Sequence, residues 1–227
     1  MAAAATGLNR FYITLGVVAL VAVGALVYLV RRPKGVSIPA NVAVLVADTA
    51  GFRGYVLGSD SAAVEVSEYA DYQCPACQYF ETIQFPAVRD QLIATGKVRW
   101  RYRDFPLEMH PNARVAAHAA ACGEEQGKYW ELHAKIYEGQ AQWSPSRNAS
   151  GMFSEMAGAL GMDRNRFDTC MSSAKYAGRI QASLEEGTRL GVGSTPTFLI
   201  GGRLYPGVLA SDSLRAMVEQ AIPPRTP

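Results

Sequence analysis

Cys74-Pro75-Ala76-Cys77 places two thiols at C-x-x-C spacing, where a strand pattern runs into a helical one. Cys74 is therefore expected at a helix N-terminus. There the unpaired amide N–H groups and the positive end of the helix dipole favour a thiolate, the reactive form in disulfide exchange. Cys77, one turn on, is within reach to resolve a disulfide formed at Cys74. Lowering the Cys74 pKa by two units would make its ionised form about 2.7 kcal/mol easier to reach, and the disulfide correspondingly more oxidising. Zinc binding is the other chemistry open to such a pair. Zinc usually takes two C-x-x-C pairs, or one with a spaced His pair, and neither accompanies this one.

The flanking sequence supplies what must hold the pair. From Ala62 to Tyr69, alternating β-branched and aromatic residues mark a strand leading into the active turn, with Glu68 as the exception. That carboxyl lies six residues before Cys74, on a strand expected to be covered on both faces. Buried, it can accept or relay the proton of Cys77; solvated, it would be inert. After Cys77, Phe80, Ile83, Val88 and Leu92 give a helical stripe, in which Pro86 should kink the helix by removing the bond to the Thr82 carbonyl. Val98 to Tyr102 reads as a second strand, with Arg99, Arg101 and Arg103 on a solvated face. From Pro111 to Leu190 the pattern is helical throughout, broken at Gly123, Gly127, Ser144 to Ser150, Gly161 and Gly191. Strand signals return at Thr197 to Ile200, followed by the Gly201-Gly202 turn of a hairpin. A closing helix starts near Ser211 or Asp212 and ends by Ala221, before Pro223 and Pro224.

Two further cysteines fall inside the helical block. Cys122 closes one helix pattern, and Cys170 follows Phe167 by three residues beside Met171, so both can point inward as buried thiols or as a structural disulfide. A disulfide suits an exported domain, and closing a loop of this length would stabilise by roughly 4 kcal/mol at most on the chain-entropy model. His133 shares an apolar stripe with Tyr129, Leu132 and Ile136 and reads as a packed histidine. His110 and His118 have no metal spacing to it, so no metal site is expected.

Residues 11–30 read FYITLGVVALVAVGALVYLV, an uncharged run long enough for a hydrocarbon core of roughly 30 Å. A membrane helix is expected here, with Tyr12 and Tyr28 at interfacial level. The run exceeds the core of a cleavable signal and no A-x-A site directly follows, which favours an uncleaved anchor. Arg31, Arg32 and Lys34 follow it and only Arg10 with the amino terminus precedes it, so charge alone would leave the cysteines on the cytoplasmic side. Four cysteines and a redox motif favour the oxidising side, and that reading is preferred because the charge margin is small. The formal net charge of +2 overstates the basicity, since beyond residue 34 the chain carries 18 basic and 20 acidic side chains. Nucleic acid binding has no support. The expected organisation is an anchor over residues 1–32, a tether over 33–60 with an edge strand at Val42 to Val46, a catalytic domain over 61–222 with a helical insertion at about 107–192, and a tail over 223–227.

Strand, C-x-x-C helix, strand, helical insert, Thr-Pro, hairpin and closing helix: this order resembles the DsbA-like family, an α/β thioredoxin fold interrupted by helices. The resemblance covers roughly Gly54 to Ile222. It rests on Leu57-Gly58, Glu68, Asp71, Cys74-Pro75-Ala76-Cys77, Gln126-Gly127-Lys128 with Trp130, and Gly193-Ser194-Thr195-Pro196-Thr197. It implies a cis peptide between Thr195 and Pro196 beside the dithiol, X-Pro bonds being the ones that readily adopt cis. Pro196, having no N–H, would leave the Thr195 backbone free to pair with an extended substrate that also meets Pro75 and Ala76. Cys74 would be the exposed, attacked cysteine and Cys77 the resolving one. The Pro-Ala dipeptide departs from the Pro-His of the best-known DsbA, and so removes a histidine donor to the thiolate. The implied activity is that of a cofactor-free, membrane-anchored thiol oxidase that passes its disulfide to unfolded exported proteins and is recharged by a quinone-linked membrane oxidase. A reductase or isomerase would use the same residues with a less oxidising pair. A non-catalytic, membrane-tethered binding module would hold the C-x-x-C as a metal or structural site.

Overall fold

The computed structural model describes residues 3–31 and 35–222, with side chains for 10–27 and 35–222. Expectations placed on the Tyr28 and Arg31 side chains, on Arg32, Lys34, Pro223 and Pro224, and on the 223–227 tail lie outside the described residues. The chain forms two units, Met1–Lys34 and Gly35–Pro227.

The first unit is one helix, α1 (Ala3–Arg31), about 44 Å long at 1.5 Å per residue. Its Arg10–Val27 window has a mean hydropathy of 2.1. Among the described residues it is the one helix long and apolar enough to cross a membrane.

The second unit is built on a five-stranded sheet of β1 (Tyr55–Leu57), β2 (Val64–Ala70), β3 (Val98–Asp104), β4 (Thr197–Ile200) and β5 (Arg203–Pro206), in the order β1-β3-β2-β4-β5. β2 and β3 run parallel, and the other pairs are antiparallel. The crossover between the parallel strands is α2 (residues 75–93), which carries the C-x-x-C. Lying at the centre, β2 is buried at every residue but Glu65, and Glu68 is left fully buried. Val42 to Val46 forms no strand. Asp48 Oδ2 accepts the Leu45 N–H at 2.8 Å and closes a single helical turn, Val46–Thr49. The sheet edge is β1 instead, where Tyr55 stacks on Tyr129 at 3.7 Å between ring centroids.

α2 departs from the simple proline kink. It begins as α-helix over Pro75–Tyr79, widens into a π-turn over Phe80–Gln84, returns to α-helix at Phe85–Val88 and widens again over Arg89–Ile93. The π-turns flank Pro86 and add residues to their turns, which rotates the buried face. Phe80, Phe85, Val88 and Leu92 are buried, but Ile83 is 58% exposed and does not belong to the stripe. With α9 (Ser211–Ala221), α2 covers one sheet face, where Phe80 lies 5.9 Å from Trp100 and 4.7 Å from Phe198 between ring centroids.

The helical insertion comprises α3 (Ala113–Glu124), α4 (Tyr129–Glu138), α5 (Gln140–Trp143), α6 (Ala149–Ala159), α7 (Arg164–Ser173) and α8 (Ala177–Leu190). α8 lies over β3 and covers the far face of the sheet. Gly187 permits this seating, because a Cβ there would stand 2.7 Å from the Phe105 ring and 2.9 Å from Tyr69. The arginine face of β3 is ion-paired rather than merely solvated: Arg101 meets Glu65 at 2.7 Å, and Arg103, 3% exposed, pairs with Glu186 on α8. Cys122 on α3 and Cys170 on α7 are joined by a disulfide.

Candidate active site

Cys74 is the N-cap residue of α2, with extended backbone (φ −74°, ψ 124°) and Pro75 at the first helical position. That position suits proline, whose missing N–H has no helical partner to lose. A sliver of Cys74, 7%, reaches solvent, whereas Cys77 is fully buried. The Cys74 thiol lies 3.4 Å from the Thr195 carbonyl oxygen, and the Thr195-Pro196 peptide is cis. Cys74, Pro75, Thr195 and Pro196 thus form one rim, with Pro75 exposed and Ala76 partly so.

The loop ahead of the dithiol is held by side chains from the insertion. Asp71, buried at its base, accepts the Gln73 N–H at 2.7 Å and the Leu107 N–H at 2.8 Å, and pairs with His110 Nδ1 at 2.7 Å. Gln140 Nε2 donates to the carbonyl oxygens of Tyr72 and Cys74, at 2.7 and 3.0 Å. Gln73 accepts the Asn112 N–H at 2.7 Å and donates to the Ser144 oxygen at 3.1 Å. The helical block is therefore the clamp that fixes the active turn. No sequence motif announced Gln140 or Gln73, because a clamp between distant segments leaves no local pattern.

The two thiols have opposite electrostatics. Hydrogen bonding from the Cys77 thiol is the largest influence lowering Cys74, to about 5; burial opposes it, and the Thr195 side chain and the Cys77 and Ala76 N–H groups reinforce it. The buried Thr195 hydroxyl has no hydrogen-bond partner among the described residues. Cys77 is raised well above its ordinary value, first by burial and then by the neighbouring Cys74 sulfur. At neutral pH the pair is a Cys74 thiolate beside a Cys77 thiol, the division that exchange through a mixed disulfide needs.

Behind Cys77 stands a buried acid cluster. Neither oxygen of Glu68 has a hydrogen-bond partner among the described residues, and burial followed by the charge of Glu81 raises this carboxyl well above the usual range. Burial raises Glu81 to about 8. His133 bonds Tyr72 Oη through Nδ1 at 2.7 Å and sets Nε2 3.2 Å from Glu81. Burial lowers it to about 3, so the imidazole is neutral. Glu81, His133, Trp130 and Tyr137 line a cavity of about 210 Å³. Sequence reasoning reached Glu68 and the packing of His133 but missed Glu81. The signal was there: Glu81 falls four residues after Cys77, on the same helix face.

These buried carboxyls make stability pH-dependent. A folded pKa of about 8 against an ordinary 4.5 means that folding favours protonated Glu81, so its contribution is intact below about pH 4.5 and is lost as pH rises through 8. Glu81→Gln should therefore leave stability at pH 5 nearly unchanged and raise it at pH 8.5 by about 3 kcal/mol, allowing for relaxation. Asp104, raised to about 7 by burial, adds a similar slope that cancels in the comparison with the parent. Urea melts of both proteins at the two pH values measure the effect. A variant no more stable than its parent at pH 8.5 would contradict it.

A family model described as Thioredoxin matches residues 52–220, and the chain belongs to that family. The Na(+)/H(+) antiporter NhaA 3 of Salinispora tropica is 35% identical over 170 residues, covering 74% of this chain and 25% of that protein. The chain thus spans about a quarter of the length of this relative. Disulfide bond formation protein D of Bacillus subtilis is 22% identical over 170 residues, 74% of this chain and 76% of that protein. The crystal structure of oxidised BdbD from Bacillus subtilis superposes with a TM-score of 0.68 at 19% identity, covering 84% of this chain and 99% of that one. The fold is thus a thioredoxin fold of the DsbA type. With its split dithiol at the head of α2, the chain carries the groups that thiol–disulfide exchange requires.

Proposed function

We propose that the chain is a membrane-anchored dithiol oxidase whose Cys74–Cys77 disulfide is donated to unfolded exported proteins on the extracytoplasmic side. The observation that carries this reading is the depressed Cys74 thiol beside the raised Cys77 thiol. Whatever stabilises the reduced, ionised form makes the disulfide a stronger oxidant. A substrate thiolate attacks Cys74 Sγ, the Cys74–Cys77 bond breaks, and a mixed disulfide forms while Cys77 takes up a proton. A second substrate thiolate then closes the substrate disulfide and expels Cys74 as thiolate. Glu68, buried behind Cys77, is the group proposed to supply and recover that proton. The rim of Pro75, Ala76, Thr195 and Pro196 is the proposed substrate surface, and Cys122–Cys170 has a structural role. Recharging falls to a quinone-linked membrane oxidase, and α1 is the anchor that keeps the domain near it.

Sidedness and redox state are read together by labelling intact cells with an impermeant thiol reagent. Cys74 should be unreactive as isolated and become labelled after mild external reduction. Labelling that appears only on lysis would overturn the location, and a freely reactive Cys74 without reductant would overturn the oxidase direction.

A further inference from the structure

A second cluster of ligating groups sits where α3 meets α7. One ring nitrogen of His118 and the sulfurs of Cys122 and Cys170 lie within 4.8 Å of one another, and all three residues are buried. His118 is 0% exposed. Its Nε2 is 3.1 Å from the Cys170 carbonyl oxygen, which can only accept, so Nε2 carries the proton and donates. Nδ1 is left as a bare lone pair, buried and without a hydrogen-bond partner among the described residues. An unmet buried acceptor is unfavourable, and the Cys122–Cys170 disulfide, which has no hydrogen to give, does nothing to satisfy it. An imidazole anchored by one N–H on a backbone carbonyl, with its other nitrogen unpartnered and two sulfurs within 4.8 Å of the ring, is arranged as a metal ligand.

We propose that His118, Cys122 and Cys170 form a second, alternative closure of the α3–α7 contact: when their disulfide is reduced, they bind one soft divalent cation, zinc. Reduction takes two electrons and two protons from an external dithiol, which leaves as its own disulfide, and the S–S bond becomes two thiols. Zinc then displaces both thiol protons to solvent and gains two sulfur bonds and one nitrogen bond, with water in the fourth position. The backbone needs little adjustment. Two zinc–sulfur bonds of about 2.3 Å at a tetrahedral angle span roughly 3.8 Å between sulfurs, and the Cα atoms of Cys122 and Cys170 stand 5.8 Å apart. An open cavity of about 310 Å³ lined by Cys170, Glu125, Thr169 and Ser173 gives the ion an entry path. Two thiolates and a neutral imidazole leave the filled site without net charge, which suits its burial. Bound this way, the second dithiol is withheld from exchange with Cys74 and Cys77, and the α3–α7 tie persists without its disulfide.

The test uses the full chain with Cys74→Ser and Cys77→Ser, which removes the competing thiols, reduced with a phosphine and freed of reductant without air. Titration with zinc against a chromophoric chelator should give one ion per chain, and cobalt should give thiolate-to-metal charge-transfer absorption. Zinc should slow alkylation of Cys122 and Cys170 about tenfold or more, and the oxidised protein should bind none. His118→Ala should lose about tenfold or more in affinity. If that variant does not fold, His118→Gln and the alkylation footprint of the otherwise unchanged chain carry the decision. No cobalt–thiolate absorption, unprotected cysteines, or undiminished affinity without the imidazole would overturn the proposal.

Discussion

Cys77→Ser should turn the protein into a trap: incubated with reduced, unfolded protein and an oxidant, it accumulates long-lived mixed disulfides at Cys74, whereas Cys74→Ser forms none and exchange falls to background. The asymmetry follows from burial and charge. Cys74 is the one residue of the pair with any solvent exposure and has a pKa near 5, so it is both the side a substrate can reach and the better leaving group. Cys77 is enclosed, and its thiol is raised by that burial. Serine at 77 keeps a donor beside Cys74 but cannot attack the mixed disulfide, so the only escape is a second external thiol. Non-reducing gels followed by mass mapping of the adducts decide the point. Equal trapping by both variants would contradict the assigned roles.

The reduced protein should be more stable than the oxidised protein, by a margin that grows with pH. In the reduced fold the Cys74 thiol is depressed to about 5, against an ordinary unfolded value of about 8.5. A depressed folded pKa contributes stability that is fully present above the unfolded value and is lost as pH falls through the folded one. Between pH 5 and pH 7 the margin should therefore grow by about 2 kcal/mol, after discounting for solvent screening at this partly exposed site. It should level off near pH 8.5, where the unfolded thiol also ionises. Thr195→Val should shrink the margin by removing the hydroxyl whose influence lowers Cys74, although the Ala76 and Cys77 N–H groups remain. Denaturant melts of both redox forms at half-unit pH steps give the curve. A flat margin, or one that narrows from pH 5 to pH 7, would contradict a stabilised thiolate.

Local pattern carried the fold where the residues speak to near neighbours. Strands β2 and β3, the helix after Cys74, the Gly201-Gly202 hairpin and the last helix all follow from periodicity and turn residues. The misses came where a tertiary neighbour decides. Val42 to Val46 has strand composition, yet Asp48 three residues past Leu45 closes a helical turn and the sheet edge goes to Tyr55–Leu57. Arg103 looks solvated until α8 brings Glu186 over it. In the site, Cys74 and Cys77 announce themselves by spacing. Glu81, Gln140 and the hydroxyl of Thr195 acquire their roles only when the chain brings distant segments beside the dithiol.

The reduction potential of Cys74–Cys77 tests the oxidising assignment most directly. The domain from about Gly35 onward is equilibrated with glutathione buffers, and the thiols are followed by alkylation. DsbA, at about −120 mV, and thioredoxin, at about −270 mV, bracket the range. The depressed Cys74 thiol pushes toward the first, and the absence of a side-chain donor at Ala76 holds the value short of it. The expected result lies in the more oxidising half of that interval, and a value near or below that of thioredoxin would contradict the oxidase and make the protein a reductase.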